Sequence, residues 1–357
     1  MRLFACQNCG QVLHFENIRC EQCASALGYL PGRNILAALT PVADQPGVFI
    51  SSGGRRRPVR YCGNAAHGAC NWMVPADRRQ KLCLACRHNR TIPDLSDPTN
   101  AALWRKIEVA KHRAFYSFVR LKLPMRSRAD DPGHGLAFDI LADLPGATER
   151  VMTSHANGLI TIALVEADDA ERASRSAAMG EPYRTLLGHF RHESGHYFWD
   201  RLVRDGGRLE ECREVFGDDT QDYGAALRRN YEQGPPPNWQ AGFVSAYAAC
   251  HPWEDFAETW AHYLHMVDTL EMASALGLKI SPRADRSGEL TAKVAFNPYR
   301  STDIAALMEA WVPLTVAVNS LNRSMGVPDL YPFVLSKAVE RKLAFIQALV
   351  HGTLPAR

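Results

Sequence analysis

Thr185-Leu186-Leu187-Gly188-His189-Phe190-Arg191-His192-Glu193-Ser194-Gly195-His196-Tyr197-Phe198-Trp199 is the stretch on which the reading of this chain turns. It contains His-Glu-x-x-His as His192, Glu193 and His196. Residues four apart on an α-helix lie one above the other. Two imidazoles so placed can hold one Zn²⁺, with the adjacent Glu193 within reach of a water as general base. Leu186, Leu187, Phe190, Phe198 and Trp199 predict a buried helix. There, an unliganded His-Glu-His set would be costly to desolvate, which argues against a chance match. Pro182 suits the first turn of this helix, expected over residues 183–204 and ended by Gly206-Gly207.

A hydrolytic zinc centre takes three protein ligands, so one more is needed. The best place to find it is Tyr247-Ala248-Ala249-Cys250-His251-Pro252-Trp253-Glu254-Asp255-Phe256-Ala257-Glu258-Thr259-Trp260-Ala261-His262 and on to His265. A helix opened by Pro252 sets Glu254, Glu258, Ala261, His262 and His265 along one face. Trp253, Phe256 and Trp260 give that helix more aromatic surface than a solvated one carries. Glu254, Glu258 and Asp255 are all open as the third ligand at this point. His189 and His262 read as core or supporting histidines rather than ligands.

The 357 residues leave room for about two domains. A hydrophobic share of 46%, a charged share of 22% and a net charge of +3 are ordinary for a globular protein and name no partner. No window reaches the ~18 apolar residues of a membrane span, and the opening Met1-Arg2-Leu3-Phe4-Ala5-Cys6 does not read as a signal peptide. Eight of the 10 cysteines fall before residue 87. Their pairing suits metal better than disulfides, so a reducing, cytoplasmic setting is expected.

Cys6-x2-Cys9 and Cys20-x2-Cys23 form two knuckles that predict a structural zinc ribbon over residues 1–27. A second cluster, within 60–88, offers Cys62, Cys70, Cys83 and Cys86 as a second structural site, with His67 able to replace Cys62 or Cys70. Between them Arg55, Arg56, Arg57 and Arg60 could touch nucleic acid, though a solvated loop is the default. The expected organisation is a zinc-binding head over 1–90, a linker over 91–100 and a mainly helical domain with a short sheet over 101–357, hence α+β. Asn100 is a candidate cap for a helix of about 20 residues. Strands are expected at Leu136–Ile140 and Gly158–Leu164, helices at Asp168–Met179 and Gly224–Gln233, and two long scaffold helices near Thr302–Met325 and Pro332–Val350.

His192-Glu193-Ser194-Gly195-His196 followed by Glu254-Asp255-Phe256-Ala257-Glu258 resembles the anthrax lethal factor-like catalytic domains of the gluzincin group. That resemblance implies a zincin-like fold, Glu254 as the third zinc ligand, Glu258 behind a ligand histidine, and Tyr247, seven residues before Glu254, as oxyanion donor. It further implies an edge strand ahead of the metal helix on which extended peptide is laid. Over nearly the whole chain, the ribbon, Thr91-Ile92-Pro93-Asp94-Leu95, Leu187-Gly188-His189-Phe190-Arg191-His192-Glu193 and Pro252-Trp253-Glu254-Asp255 resemble bacterial putative zinc-binding metallopeptidases with zinc-ribbon heads. The expectation is a metallopeptidase with one catalytic and two structural Zn²⁺, acting on a peptide or protein. The alternative is a zinc-ribbon binding or adaptor protein whose helical domain is not catalytic, with nucleic acid as a conceivable partner. Activity on peptides with and without chelator separates the two.

Overall fold

The computed structural model describes residues 1–53, 57–144, 146, 150–179 and 185–355, with backbone only at 176–179. Arg55 and Arg56 of the basic run, and Pro182 and Tyr183 ahead of the metal helix, lie outside the described residues. The chain is α+β and forms two compact units, Met1–Arg175 and Ser176–Arg357.

In the first unit a two-stranded hairpin, β1 (Phe4–Ala5) and β2 (Val12–Leu13), holds Cys6 and Cys9 in its connection, and Cys20 and Cys23 follow it. An antiparallel meander follows: β3 (Ala26–Leu30), β4 (Ile35–Pro41), β5 (Phe49–Ser51), β6 (Pro58–Tyr61) and β7 (Met73–Pro75). Tyr29 N–H donates to Asn71 O at 2.8 Å, bringing the first and last strands of the meander together. The second sheet runs β10 (Ser154–Ala156), β11 (Leu159–Ala163), β9 (Ala137–Leu141), β8 (Asn89–Thr91). Its β11–β9 and β9–β8 pairs are parallel.

Helix α1 (Pro98–Arg120) is capped by Asp97, whose Oδ1 accepts from Thr99 N–H at 2.7 Å. The expected cap at Asn100 is thus corrected: Pro98 fits the first helical position and fixes the start earlier. Helix α1 lies in the compact unit of the cysteine clusters, and the division at 175/176 falls outside the 91–100 stretch. The physical reason is packing: Tyr116 meets Phe15 at 5.4 Å between ring centroids, and His112 meets Trp72 at 5.2 Å. The unit ends with the first part of α2 (Asp169–Met179).

The second unit is mainly helical. Helix α3 (Leu186–Phe198) begins at Thr185, whose Oγ1 accepts from Gly188 N–H at 2.9 Å. The helix continues as a π-turn over Trp199–Arg204 before the chain bends at Gly207 (φ +68°). Then come α4 (Leu209–Phe216), α5 (Tyr223–Gln233) and α6 (Pro252–Ala275), which is capped by His251 accepting from Trp253 N–H at 3.1 Å. A small hairpin, β12 (Lys279–Ile280) with β13 (Ala292–Lys293), precedes α7 (Ile304–Ser324) and α8 (Lys337–His351). Helix α7 is long and apolar enough, by length and composition alone, to cross a membrane. This corrects the expectation that no segment is. It buries Leu307, Ala310, Trp311, Pro313 and Leu314 in the second unit.

Helices α3 and α6 make the most extensive helix pairing of this unit. At their crossing, a Cβ on Gly195 would stand 2.9 Å from Ala257 Cα and 3.3 Å from Ala257 Cβ. Only glycine lets the two backbones come this close, and Ala257 is the smallest chiral partner for it. Elsewhere in a helix, glycine to alanine gains about 1 kcal/mol. Here Gly195→Ala is expected to destabilise by about 1–3 kcal/mol, because the added methyl must push packed helices apart. Urea unfolding followed by circular dichroism reads the sign directly, and a stabilised variant would contradict the close-approach argument.

Candidate metal centre

Helix α3 presents His192 and His196 one turn apart, with ring centroids 5.0 Å from each other. Helix α6 presents Glu254 in its first turn. The Nε2 atoms of the two histidines and a carboxylate oxygen of Glu254 lie within 4.8 Å of one another. Glu254 Oε2 is 2.9 Å from His192 Nε2 and 3.5 Å from His196 Nε2, and makes no hydrogen bond although it is buried.

The tautomer of His192 explains this arrangement. Its Nδ1 donates to Glu258 Oε1 at 2.7 Å. The Nδ1 proton leaves Nε2 of the neutral ring with a lone pair directed at a carboxylate oxygen. Two acceptors at that distance need a proton or a cation between them, and a single proton cannot serve the third acceptor, His196 Nε2. A tetrahedral metal ion serves all three and has one position left over, so the donor set fits zinc. Glu254 and Glu258 therefore address opposite nitrogens of one imidazole from successive turns of α6.

Electrostatics follow this geometry. Burial works against charging His192, yet the nearby Glu254 and Glu258 carboxylates, the second hydrogen-bonded to Nδ1, lift it well above the ordinary imidazole value. Burial likewise opposes ionisation of Glu254, but His196 and His192 hold it well below the usual carboxylate range. Glu258 is pulled down by His192 against the same opposition. Asp255, one of the possible ligands from sequence, faces Lys342 Nζ at 2.6 Å instead, and burial pushes it up to about 7.

Glu193 is 7% exposed, on α3 between the two histidines. The Tyr247 ring lies 5.9 Å from that of His192, and burial and the Glu254 charge keep its phenol protonated well above the ordinary tyrosine range. His262 donates to or accepts from Tyr331 Oη at 2.6 Å, and burial lowers it to about 4. His265 Nδ1 meets Arg191 Nη1, which also pairs through Nη2 with Asp268 at 2.6 Å. Both histidines belong to the packing behind the site.

Two contributors were not foreseen. Tyr223 Oη donates to Glu254 Oε1 at 2.6 Å, holding the carboxylate oxygen that faces away from His192. Ser245 Oγ donates to Glu258 Oε2 at 2.6 Å. Neither sits in a motif: Tyr223 is the first residue of a short helix after a turn, and only the tertiary fold brings it to Glu254.

In the first unit, Cys6–Cys23 and Cys9–Cys20 have Sγ atoms 3.6 Å apart, and Cys70–Cys83 3.7 Å. A disulfide is about 2.05 Å, whereas two thiolates on one zinc at about 2.3 Å stand about 3.8 Å apart. Cys6, Cys9, Cys20 and Cys23 converge as one four-sulfur set, and Cys62, Cys70, Cys83 and Cys86 as another. His67 instead packs against the Trp104 ring at 5.9 Å and is in neither set.

Removing the Glu258 carboxylate is expected to weaken zinc at the His192/His196/Glu254 site. Such supporting hydrogen bonds to ligand histidines are worth roughly 10–100-fold in affinity. Competition of Glu258→Ala against a chromogenic chelator measures this, with the cysteine sites as internal reference. Unchanged affinity would contradict the assigned support of His192.

Residues 3–97 match a family model described as a zinc-ribbon domain, and residues 100–349 one described as a putative zinc-binding metallo-peptidase. Uncharacterized proteins of Mycobacterium bovis and Mycobacterium tuberculosis are 43% identical over 357 residues, covering 99% of this chain and 97% of theirs. No solved structure matches the chain significantly. The converging His192, His196 and Glu254 and the two cysteine sets thus lie in a chain that belongs to the putative zinc-binding metallo-peptidase family and carries a zinc-ribbon domain at its head.

Proposed function

We propose that this protein hydrolyses peptide bonds, with one hydrolytic and two structural zinc ions. The observation that carries the reading is the meeting of three metal-ligand atoms from α3 and α6 beside a buried glutamate. His192, His196 and Glu254 would hold the hydrolytic ion, Cys6, Cys9, Cys20 and Cys23 the first structural ion, and Cys62, Cys70, Cys83 and Cys86 the second. When bound at the first of these sites, zinc supplies the positive charge that makes a water molecule acidic and polarises a carbonyl.

The remaining work belongs to the chain. Glu193 takes the proton from the attacking water and passes it to the leaving nitrogen, so one carboxylate acts first as base and then as acid. Tyr247, kept protonated by burial and by Glu254, donates a hydrogen bond to the oxygen that gains charge as the carbonyl carbon becomes tetrahedral. Glu258 and Ser245 fix the ring of His192, and Tyr223 fixes Glu254. Closed four-sulfur sites leave no position for water, which makes the head a structural or recruiting element rather than a second reaction centre.

A peptide library digested with and without chelator, using wild type and Glu193→Gln, tests the proposal. The wild type should cleave and lose cleavage with its metal. Glu193→Gln should keep fold and zinc while its turnover falls by at least about 10²–10⁴-fold. Retained turnover in that variant would reject Glu193 as base. Zinc held without any chelator-sensitive cleavage would favour the adaptor reading. Tyr247→Phe should lower kcat by roughly 10²–10³-fold with little change in KM if its hydrogen bond forms only in the transition state. A change confined to KM would contradict that role.

A further inference from the structure

Helix α1 carries three buried polar side chains on one face, Glu108, Lys111 and His112, in the unit that holds the cysteine sets. Glu108 Oε1 accepts from Lys111 Nζ at 2.6 Å and from Asn89 Nδ2 at 2.8 Å, and its Oε2 stands 3.7 Å from Cys86 Sγ. His112 is different. Its Nδ1 lies 2.6 Å from the main-chain oxygen of Glu108. A carbonyl oxygen can only accept, so Nδ1 carries the proton and Nε2 of the neutral ring carries a lone pair.

That Nε2 faces sulfur. It stands 3.2 Å from Cys70 Sγ, 3.5 Å from Cys86 Sγ and 3.8 Å from Cys83 Sγ. A nitrogen and a sulfur bound to one tetrahedral zinc are separated by about 3.6 Å, given Zn–N near 2.0–2.1 Å and Zn–S near 2.3 Å. Cys86, Glu108 and His112 also converge as a set of metal-ligand atoms in their own right. The Nδ1–H to carbonyl contact is the support that ligand histidines use to fix ring and tautomer, and the Trp72 ring packs on the imidazole at 5.2 Å.

The four sulfurs are not equivalent around this nitrogen. Cys70 is the nearest to His112 and the only one of the four that is not fully buried. It also lies outside the Cys83-x2-Cys86 knuckle. Cys62 accepts from Cys83 N–H at 3.2 Å and Cys70 from Trp72 N–H at 3.4 Å.

We infer that His112 is a fifth donor of the second cysteine site, able to hold the metal with Cys62, Cys83 and Cys86 in place of Cys70. The exchange replaces one thiolate by a neutral imidazole, so the charge of a zinc-loaded site goes from −2 to −1 with no redox step. Its consequence is a site that keeps its ion when Cys70 is lost or blocked. The inference rests on the second site binding metal, and is independent of peptide hydrolysis.

Full-length Cys70→Ser, His112→Ala and Cys70→Ser/His112→Ala proteins, loaded with Co²⁺, test it through metal per chain and the ligand-field spectrum. Cys70→Ser should keep the wild-type metal count, with the second-site bands moved from a four-sulfur to a three-sulfur, one-nitrogen pattern. His112→Ala should keep the four-sulfur spectrum. The double variant should lose one equivalent, or release it to chelator at least about 10-fold faster than Cys70→Ser. The inference is overturned if Cys70→Ser loses the ion or fails to fold, if its spectrum shows no nitrogen ligand, or if the double variant binds as well as Cys70→Ser.

Discussion

The close approach of α3 to α6 at Gly195 and Ala257 is the constraint on which the candidate metal centre depends. The ligand atoms come from two helices that are far apart in sequence, so their meeting is set by how near the two backbones come. A side chain at 195 would hold the axes further apart, and the 2.9 Å and 3.5 Å separations between Glu254 and the two histidines would open with them. The glycine of the His-Glu-Ser-Gly-His segment is therefore part of the site although it bears no functional group.

Within that frame, the polar groups around His192 hold one another in place. His192 stands between two carboxylates, with Glu258 on Nδ1 and Glu254 toward Nε2. Tyr223 and Ser245 take the remaining oxygens of those carboxylates. The outcome is a cluster in which the unsatisfied acceptor, Glu254 Oε2, is the one aimed at the histidines. Burial makes such an acceptor costly unless a cation meets it. Behind it, Arg191, His265, Asp268 and Tyr299 form a connected buried network that ties α3 to α6 from the other side.

Features set by local spacing were legible in the sequence. The His192/His196 pair, the two cysteine sets and the helix begun by Pro252 depend on neighbours within a few turns, and the structure assembles the same residues. So do the α+β class and the long helices of the second unit. Features set by tertiary packing were not legible. Tyr223 opens the helix expected at Gly224–Gln233, but nothing in that helix's own pattern directs the phenol to Glu254, and Ser245 precedes its motif by an offset that no periodicity marks. His112 was hidden because α1 reads as a simple amphipathic helix, its apolar stripe at Ile107, Ala110, Ala114 and Phe118 masking a second buried face of Glu108, Lys111 and His112. Which of Glu254, Asp255 and Glu258 faces the Nε2 side of His192 was likewise a question of rotation about α6: Asp255 meets Lys342, Glu258 engages His192 Nδ1, and Glu254 lies toward Nε2.

The central claim is that one ion is shared by α3 and α6. An anomalous difference map from zinc-grown crystals, collected on both sides of the zinc absorption edge, tests it most directly. The account predicts a peak within bonding distance of His192 Nε2, His196 Nε2 and a Glu254 carboxylate oxygen, alongside one peak in each cysteine set. Peaks at the cysteines with none between the two helices would contradict it.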